Sequence, residues 1–214
     1  MIYEVRTYDC KPQSVPEVEK RFAEAYETRK KLSQLAAYWH TEIGPLNQVI
    51  HVWPYKDLEE RRKIREAAVK ESAGKWPADT AEFMVAQRSD IFHQFEFSPE
   101  LKPGRQGPFF EMRIYTYQTG QLENLTRAWA HALSHRLKLG PATAIWYSEL
   151  GGLNKFVHIW PYKSLDERWA TRMKSRETGD WPPSAAAKKA GLPAYRLAMQ
   201  ENKIVMPAAF SPIQ

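Results

Sequence analysis

The stretch GPLNQVIHVWPYKDLEER, residues 44–61, recurs later in the chain as GGLNKFVHIWPYKSLDER, residues 151–168. Eleven of these eighteen positions are identical, and the two stretches lie 107 residues apart. The same spacing aligns the Glu-x-Arg-x-Tyr pattern that begins at Glu4 with the one that begins at Glu111. A constant spacing across separated motifs indicates a tandem duplication of one module.

The repeat predicts three parts of the chain: a first module over residues 1–99, a linker over 100–108 and a second module over 109–214. The linker contains several prolines and glycines, which is typical of an extended connection. A chain of 214 residues is long enough for each module to bury a core of its own.

Each module shows the same order of predicted elements, judged from alternating and helical spacing of apolar residues. In the first module these are Ile2–Tyr8, a helix over Val15–Gln34, strands Ala37–Ile43 and Gln48–Trp53, a helix over Leu58–Ala73 and a strand near Asp90–Phe97. Pro54 is expected to end the third strand, and the last strand of the second module is expected near Tyr195–Val205.

The order β-α-β-β-α-β is that of a ferredoxin-like unit, in which two helices cover one face of the sheet. The other face must be buried against something, and a second copy of the same sheet is available in this chain. We therefore predict an α+β fold in which tandem ferredoxin-like βαββαβ modules form a pseudo-dimeric α+β barrel.

Strand alternation sorts the side chains of each sheet into two faces. The face carrying Tyr3 and Val5 is the more apolar, so we expect it to lie under the helices. The Glu-x-Arg-x-Tyr face, together with His51 and Trp53, would then point into the space between the sheets. Buried charges need partners, so Glu4 and Arg6 are expected to form an ion pair.

This polar face supplies the candidate ligand-binding residues in both modules. They are Glu4, Arg6, Tyr8, His51, Trp53, Glu111, Arg113, Tyr115, His158 and Trp160. Two interpretations remain open: a set of paired residues that fixes the packing of the sheets, or a pocket with convergent polar groups. A cavity of about 300 Å³ or more beside these residues would favour the pocket.

The two modules differ at one position with catalytic potential, where His40 corresponds to Tyr147. An imidazole can exchange protons near neutral pH, whereas a phenol does not do so readily. The catalytic candidates are therefore His40 or His51 as a base, with Glu42 or Glu4 as the orienting partner. The alternative for His40 is an exposed residue near a turn.

Composition narrows the class of protein further. The net charge is +6, and the excess lies in the second half, yet no nucleic-acid-binding motif accompanies it, so nucleic acid is not an expected partner. No apolar run could span a membrane, and no signal peptide is recognised. Cys10 is the single cysteine, and a cytoplasmic location is expected.

We find no motif for a metal or another cofactor. His131 and His135 are four residues apart on a predicted helix, but no carboxylate lies between them, so they are interpreted as exposed histidines rather than metal ligands. The expected partners are a small-molecule ligand and a second copy of the chain.

The combined motifs resemble those of the NIPSNAP family over nearly the whole chain, one family domain per half. In the first half the matching residues are Glu4, Arg6, Tyr8, Glu42, Gly44, Leu46, Asn47, Trp53, Tyr55, Leu58 and Arg61, and the second half repeats them 107 residues later. The resemblance implies membership of the dimeric α+β barrels. It supplies no catalytic residues.

The favoured function is binding of a small molecule, either between sheet and helices or inside the barrel. The alternatives are a cofactor-free enzyme of the monooxygenase or isomerase type, which rests on fold-level analogy, and a non-catalytic interaction module with a filled interior.

Overall fold

The computed structural model describes all 214 residues. The first repeat forms β1 (Ile2–Cys10), α1 (Val15–Arg29), β2 (Ala37–Ile43), β3 (Gln48–Tyr55), α2 (Leu58–Glu71) and β4 (Met84–Gln94). The second forms β5 (Phe109–Tyr117), α3 (Leu122–Leu137), β6 (Ala144–Leu150), β7 (Lys155–Tyr162), α4 (Leu165–Lys174), α5 (Pro183–Lys189) and β8 (Leu197–Pro207). The predicted βαββαβ order is present in both repeats, and α5 is an addition that we did not predict.

The chain divides into two compact units whose bounds differ from those of the repeats. The first unit comprises residues 1–93, 102–105 and 203–214, and the second comprises 94–101 and 106–202. Strands follow the order β4-β1-β3-β2-β8 in the first unit and β8-β5-β7-β6 in the second, and β8 contributes residues to each unit. The predicted fold class, α+β with tandem ferredoxin-like modules of the α+β barrel type, is confirmed.

Strand β3 continues through Pro54 to Tyr55, so the expectation that Pro54 ends it was wrong. The carbonyl of Val52 accepts a hydrogen bond from the Ala36 N–H on the β2 side of the strand. Pro54 lies two residues later, so its nitrogen faces that same side, where β2 has ended. The missing N–H therefore breaks no bond of the sheet.

The face of the sheet that the helices cover is the reverse of the predicted one. The ring of Phe22 in α1 lies 5.1 Å from His51 and 6.4 Å from Trp53, and Arg61 in α2 reaches Glu4 at 2.7 Å. The prediction assumed that helices cover the more apolar face of the sheet. Here the helices cover the polar face, because their aromatic and arginine side chains pair with its polar groups.

None of the helices is both long and apolar enough to cross a membrane. The cytoplasmic location and the self-association remain predictions.

Candidate functional site

A cavity of about 300 Å³ lies between the sheet and the helices of the first unit. We call it the first pocket. Its lining includes Arg6, Tyr8, Phe22, Arg29, His51, Trp53, Tyr55, Arg65, Trp76 and Gln87. Four of these residues were predicted to bind a ligand, and Glu4 lies just beneath them.

A cavity of about 400 Å³ occupies the equivalent place in the second unit. We call it the second pocket. Its lining includes Glu111, Arg113, Tyr115, Trp129, Arg136, His158, Trp160, Tyr162, Arg172, Ser175, Arg176, Trp181, Ser184, Tyr195 and Gln200. All five residues predicted to bind a ligand in this module are present, so the structure brings together the candidates of each module.

Glu4 is fully buried and anchors one end of the first site. Its Oε1 accepts hydrogen bonds from Arg6 at 3.0 Å, from Arg61 at 2.7 Å and from Ser89 at 2.8 Å. Burial alone would raise the pKa of the Glu4 carboxyl, but these hydrogen bonds and the charges of Arg6 and Arg65 outweigh it and lower the pKa to about 2. The predicted ion pair of Glu4 with Arg6 is confirmed.

Glu111 has the same role in the second unit. Its Oε1 lies 3.0 Å from Arg113 and 2.6 Å from Arg168, and Arg172 follows at 3.7 Å. The Nε of Arg113 also donates to the Tyr115 hydroxyl at 2.6 Å. These contacts fix the carboxylate of Glu111 and the nearer arginines. Because Glu4 is held in the same way, neither carboxylate is available as a free base.

Each pocket contains a buried histidine whose tautomer is set by a tryptophan two residues along the strand. The indole Nε1 of Trp53 lies 2.7 Å from Nδ1 of His51, and that of Trp160 lies 2.6 Å from Nδ1 of His158. An indole nitrogen only donates, so Nδ1 must accept and the proton of the neutral imidazole is on Nε2. Both Nε2 atoms are buried without a hydrogen-bond partner.

These imidazoles stay neutral over the ordinary pH range. Burial, followed by the positive charge of Arg6, lowers the pKa of His51 to about 3. Burial, followed by the charge of Arg113, places the pKa of His158 well below its usual value. With its proton on Nε2 and a low pKa, His51 is suited to donate a hydrogen bond, which differs from the base that the sequence suggested.

A buried arginine also lines each pocket. The guanidinium of Arg29 lies 4.5 Å from the centre of the Trp53 ring and donates to the Tyr55 hydroxyl at 3.1 Å. Arg136 lies 4.2 Å from the Trp160 ring and donates to Tyr162 at 2.9 Å. No carboxylate forms an ion pair with Arg29, and burial lowers its pKa.

His40 does not join the first pocket. Its Nδ1 lies 2.7 Å from Glu19 on α1, whereas Glu42, the predicted partner, is exposed beyond a β-bulge in β2. The hydrogen bond with Glu19 is the main cause that raises the pKa of His40. The pairing of His40 with Glu42 was therefore wrong, because the bulge turns the strand between them.

We expect Glu19→Gln to lower the midpoint of the His40 titration. The folded-state pKa of His40 is raised from 6.5, so the stabilisation by this pair is present below pH 6.5 and is lost as the pH rises through the raised value. Titration of the histidine signals by NMR measures the midpoint, and Glu24→Gln, an exposed change on the same helix, serves as the control. An unchanged midpoint in Glu19→Gln would contradict the pairing.

Sequence reasoning missed much of the pocket wall. The missed residues with repeat counterparts are Phe22, Arg29, Tyr55, Arg65 and Trp76. The first four recur 107 residues later as an aromatic or an identical residue. That recurrence of arginine and aromatic residues, in two helices and at the end of β3, was the signal that could have found them.

The remaining candidates have no place in a pocket. His131 and His135 are exposed on α3, as interpreted from the sequence. Cys10 is buried, and burial followed by the charge of Asp9 raises the pKa of its thiol to about 11, which makes it a poor nucleophile.

Comparison with known proteins agrees with these repeats. The NIPSNAP family model matches twice, over residues 3–99 and 110–212. A NipSnap homolog of Dictyostelium discoideum is 27% identical over 210 residues, which cover 96% of this chain and 87% of that protein. Human NipSnap homolog 3A is 27% identical over 224 residues, covering 100% and 86%.

Among solved structures, an anthrone oxidase-like protein aligns with a TM-score of 0.61, covering 99% of this chain and 93% of that chain. Its sequence identity is 11%, so the likeness shows the fold alone. The two family matches cover most of the present sequence. The chain belongs to the NIPSNAP family and carries two of its domains in tandem.

Proposed function

We propose that each unit binds a small organic molecule in its pocket between sheet and helices, and that His51 and His158 donate a hydrogen bond to it. The observation that carries this proposal is the unpartnered Nε2 of each imidazole. These residues are only 2% and 3% exposed. A buried donor without a partner is costly, and a ligand acceptor in the pocket would satisfy it.

The size and the walls of the pockets support the proposal. Volumes of about 300 and 400 Å³ suit a small ligand. Trp53 and Trp76 line the first pocket, with ring centres 5.9 Å apart at a steep angle. Such aromatic walls favour a flat ligand. A cavity of this size beside Arg6 and His51 favours ligand binding over an interaction module.

The enzymatic alternative has less support in either pocket. A cofactor-free oxygenase or isomerase needs a group that removes a proton from its substrate. Glu4 and Glu111 are held by arginines, and in the neutral ring of His51, Nδ1 accepts from Trp53 while Nε2 carries the proton. The groups available to a ligand are hydrogen-bond donors and cations, which suits binding and orientation.

The proposal predicts that His51→Phe and His158→Phe each abolish binding to one pocket. A panel of aromatic fragments containing carbonyl, carboxylate and amine groups can be screened by ligand-observed NMR against the parent protein and both variants. We expect fragments with an acceptor group to lose binding in one variant. His135→Phe, at an exposed position on α3, is the control.

A second measurement keeps the test independent of the fragments chosen. Nitrogen chemical shifts of the parent protein should show His51 and His158 neutral with the proton on Nε2 down to about pH 4, given the pKa of about 3 for His51. If both histidines titrate near pH 6.5, or if fragments bind equally well to the Phe variants, the proposal fails.

A further inference from the structure

We infer that the ligand of the second pocket is a small aromatic anion whose acidic group is bound by Arg172 and Arg176. The inference rests on the proposed function, because it names the class of molecule that this pocket binds.

The second pocket carries more positive than negative charge. Arg113, Arg168 and Arg172 all approach Glu111, at 3.0, 2.6 and 3.7 Å, and one carboxylate balances only one of them. Buried Arg136 adds a further cation without a carboxylate partner. An anion that enters the cavity would offset this excess, because opposite charges attract strongly where water is largely excluded.

Two of the arginines make no hydrogen bond to a carboxylate and could hold such an anion. Arg113 and Arg168 are engaged with Glu111 at hydrogen-bond distance, whereas Arg172 lies too far from it to form one. Arg176 lines the cavity without any ion pair. Arg172 is in the last turn of α4 and Arg176 is in the turn just beyond its end, and both line the cavity.

The crowding of cations is also visible in the ionisation of Arg172. Burial lowers the pKa of this guanidinium, and the nearby charge of Arg113 lowers it further. Guanidinium groups pair with carboxylate or phosphate through two parallel hydrogen bonds, so either acidic group fits the position.

Tryptophans supply the surface for an aromatic body next to these arginines. Trp181 stands at a steep angle to Trp129 and to Trp160, with ring centres 5.2 and 6.0 Å away. His158 lies 4.7 Å from Trp129 and also lines the cavity, and its Nε2–H has no hydrogen-bond partner. The pocket thus offers cations at one side, flat apolar walls and one further donor.

The first pocket lacks part of this arrangement. Arg65 corresponds to Arg172 and lies 3.8 Å from Glu4. Helix α2 continues to Glu71, and the turn that follows it contains no arginine, whereas the turn after α4 contains Arg176. We therefore expect the second pocket to prefer anions more strongly than the first.

The test compares three probes of one shape and different charge: 1-naphthoate, 1-naphthamide and 1-naphthylmethylamine. Calorimetry gives the affinity, and the indole N–H signals of Trp53 and Trp160 in NMR report which pocket is occupied. We expect naphthoate to bind the second pocket at least about tenfold more tightly than the amide, with no binding of the amine. Inorganic phosphate should compete with naphthoate if the acidic group alone is recognised.

Single substitutions then remove the two arginines one at a time. We expect Arg176→Val and Arg172→Gln each to weaken naphthoate binding about tenfold or more. Arg62→Gln, on the exposed side of α2, is the control for a lost surface charge.

The outcomes separate this inference from the proposed function. If naphthoate and naphthamide bind equally and the arginine variants change nothing, while His158→Phe still removes binding, the anion inference is overturned and the pocket stands. Absence of naphthoate binding to the parent protein also overturns the inference. If a probe binds but His158→Phe leaves its affinity unchanged, the proposed function fails instead.

Discussion

Replacing Glu4 with glutamine is expected to lower the free energy of unfolding by about 3 kcal/mol. The substitution removes the charge on which Arg6 and Arg61 converge, at 3.0 and 2.7 Å. Both guanidinium groups would then lie partly buried against a neutral amide. For a chain of this size the loss corresponds to a fall in Tm of about 6–12 °C.

The same carboxylate should make the parent protein sensitive to acid. Its folded-state pKa is lowered from 4.5 to about 2, so its contribution is present above pH 4.5 and is lost as the pH falls from about 5 towards 2. A difference of this size corresponds to about 3 kcal/mol at neutral pH. The parent and Glu4→Gln proteins should therefore approach equal stability near pH 2.

Urea unfolding at pH 7 and at pH 3 measures both effects. Glu59→Gln is the matched control, because Glu59 pairs with Arg62 at 2.8 Å on the exposed surface of α2, where solvent screens the pair and it adds little to stability. Equal losses in the two variants, or a loss in Glu4→Gln that does not shrink with acid, would contradict the role given to Glu4.

Trp129→Ala is expected to cost about 3–5 kcal/mol. The indole is 2% exposed and packs 4.5 Å from the ring of Phe156 and 5.2 Å from that of Trp181. Removing it leaves a cavity between α3 and the sheet that the neighbouring rings cannot fill by small shifts. The second pocket would also lose one wall.

Trp169→Ala provides the comparison within the same unit. This indole is 63% exposed on α4, and an exposed substitution should change stability by no more than about 0.5 kcal/mol. Thermal and urea unfolding of the two variants should differ clearly. Similar losses at both positions would show that burial of Trp129 is not what stabilises this unit.

The repeat made the fold predictable, because two copies of one pattern constrain each other. Strand β2 was predicted with its observed bounds, Ala37–Ile43, since its alternation lies between clear turn signals. Helix α1 ends at Arg29 rather than Gln34, because the apolar spacing continues to Leu32 while the chain has already turned. No periodic pattern marks α5, which has only seven residues.

The candidate site was predictable in part for the same reason. The strand residues of both pockets were found because alternation and repetition place them on one face. Alternation does not show which element covers that face. Here the helices cover it, because their residues Arg29 and Arg65 line the pocket against the polar groups of the sheet. The arrangement of His40 with Glu19 depends on a bulge and a helix distant in sequence, which spacing alone does not show.

The composition of the first unit has a consequence for the order in which it can fold during synthesis. Residues 203–214 belong to this unit, where Val205 pairs with Thr41 and the N–H of Tyr38 donates to Ser211. A ribosome makes these residues only after the whole of the second pocket. Until then the outer edge of β2 has no partner, so the module that is translated first is completed last.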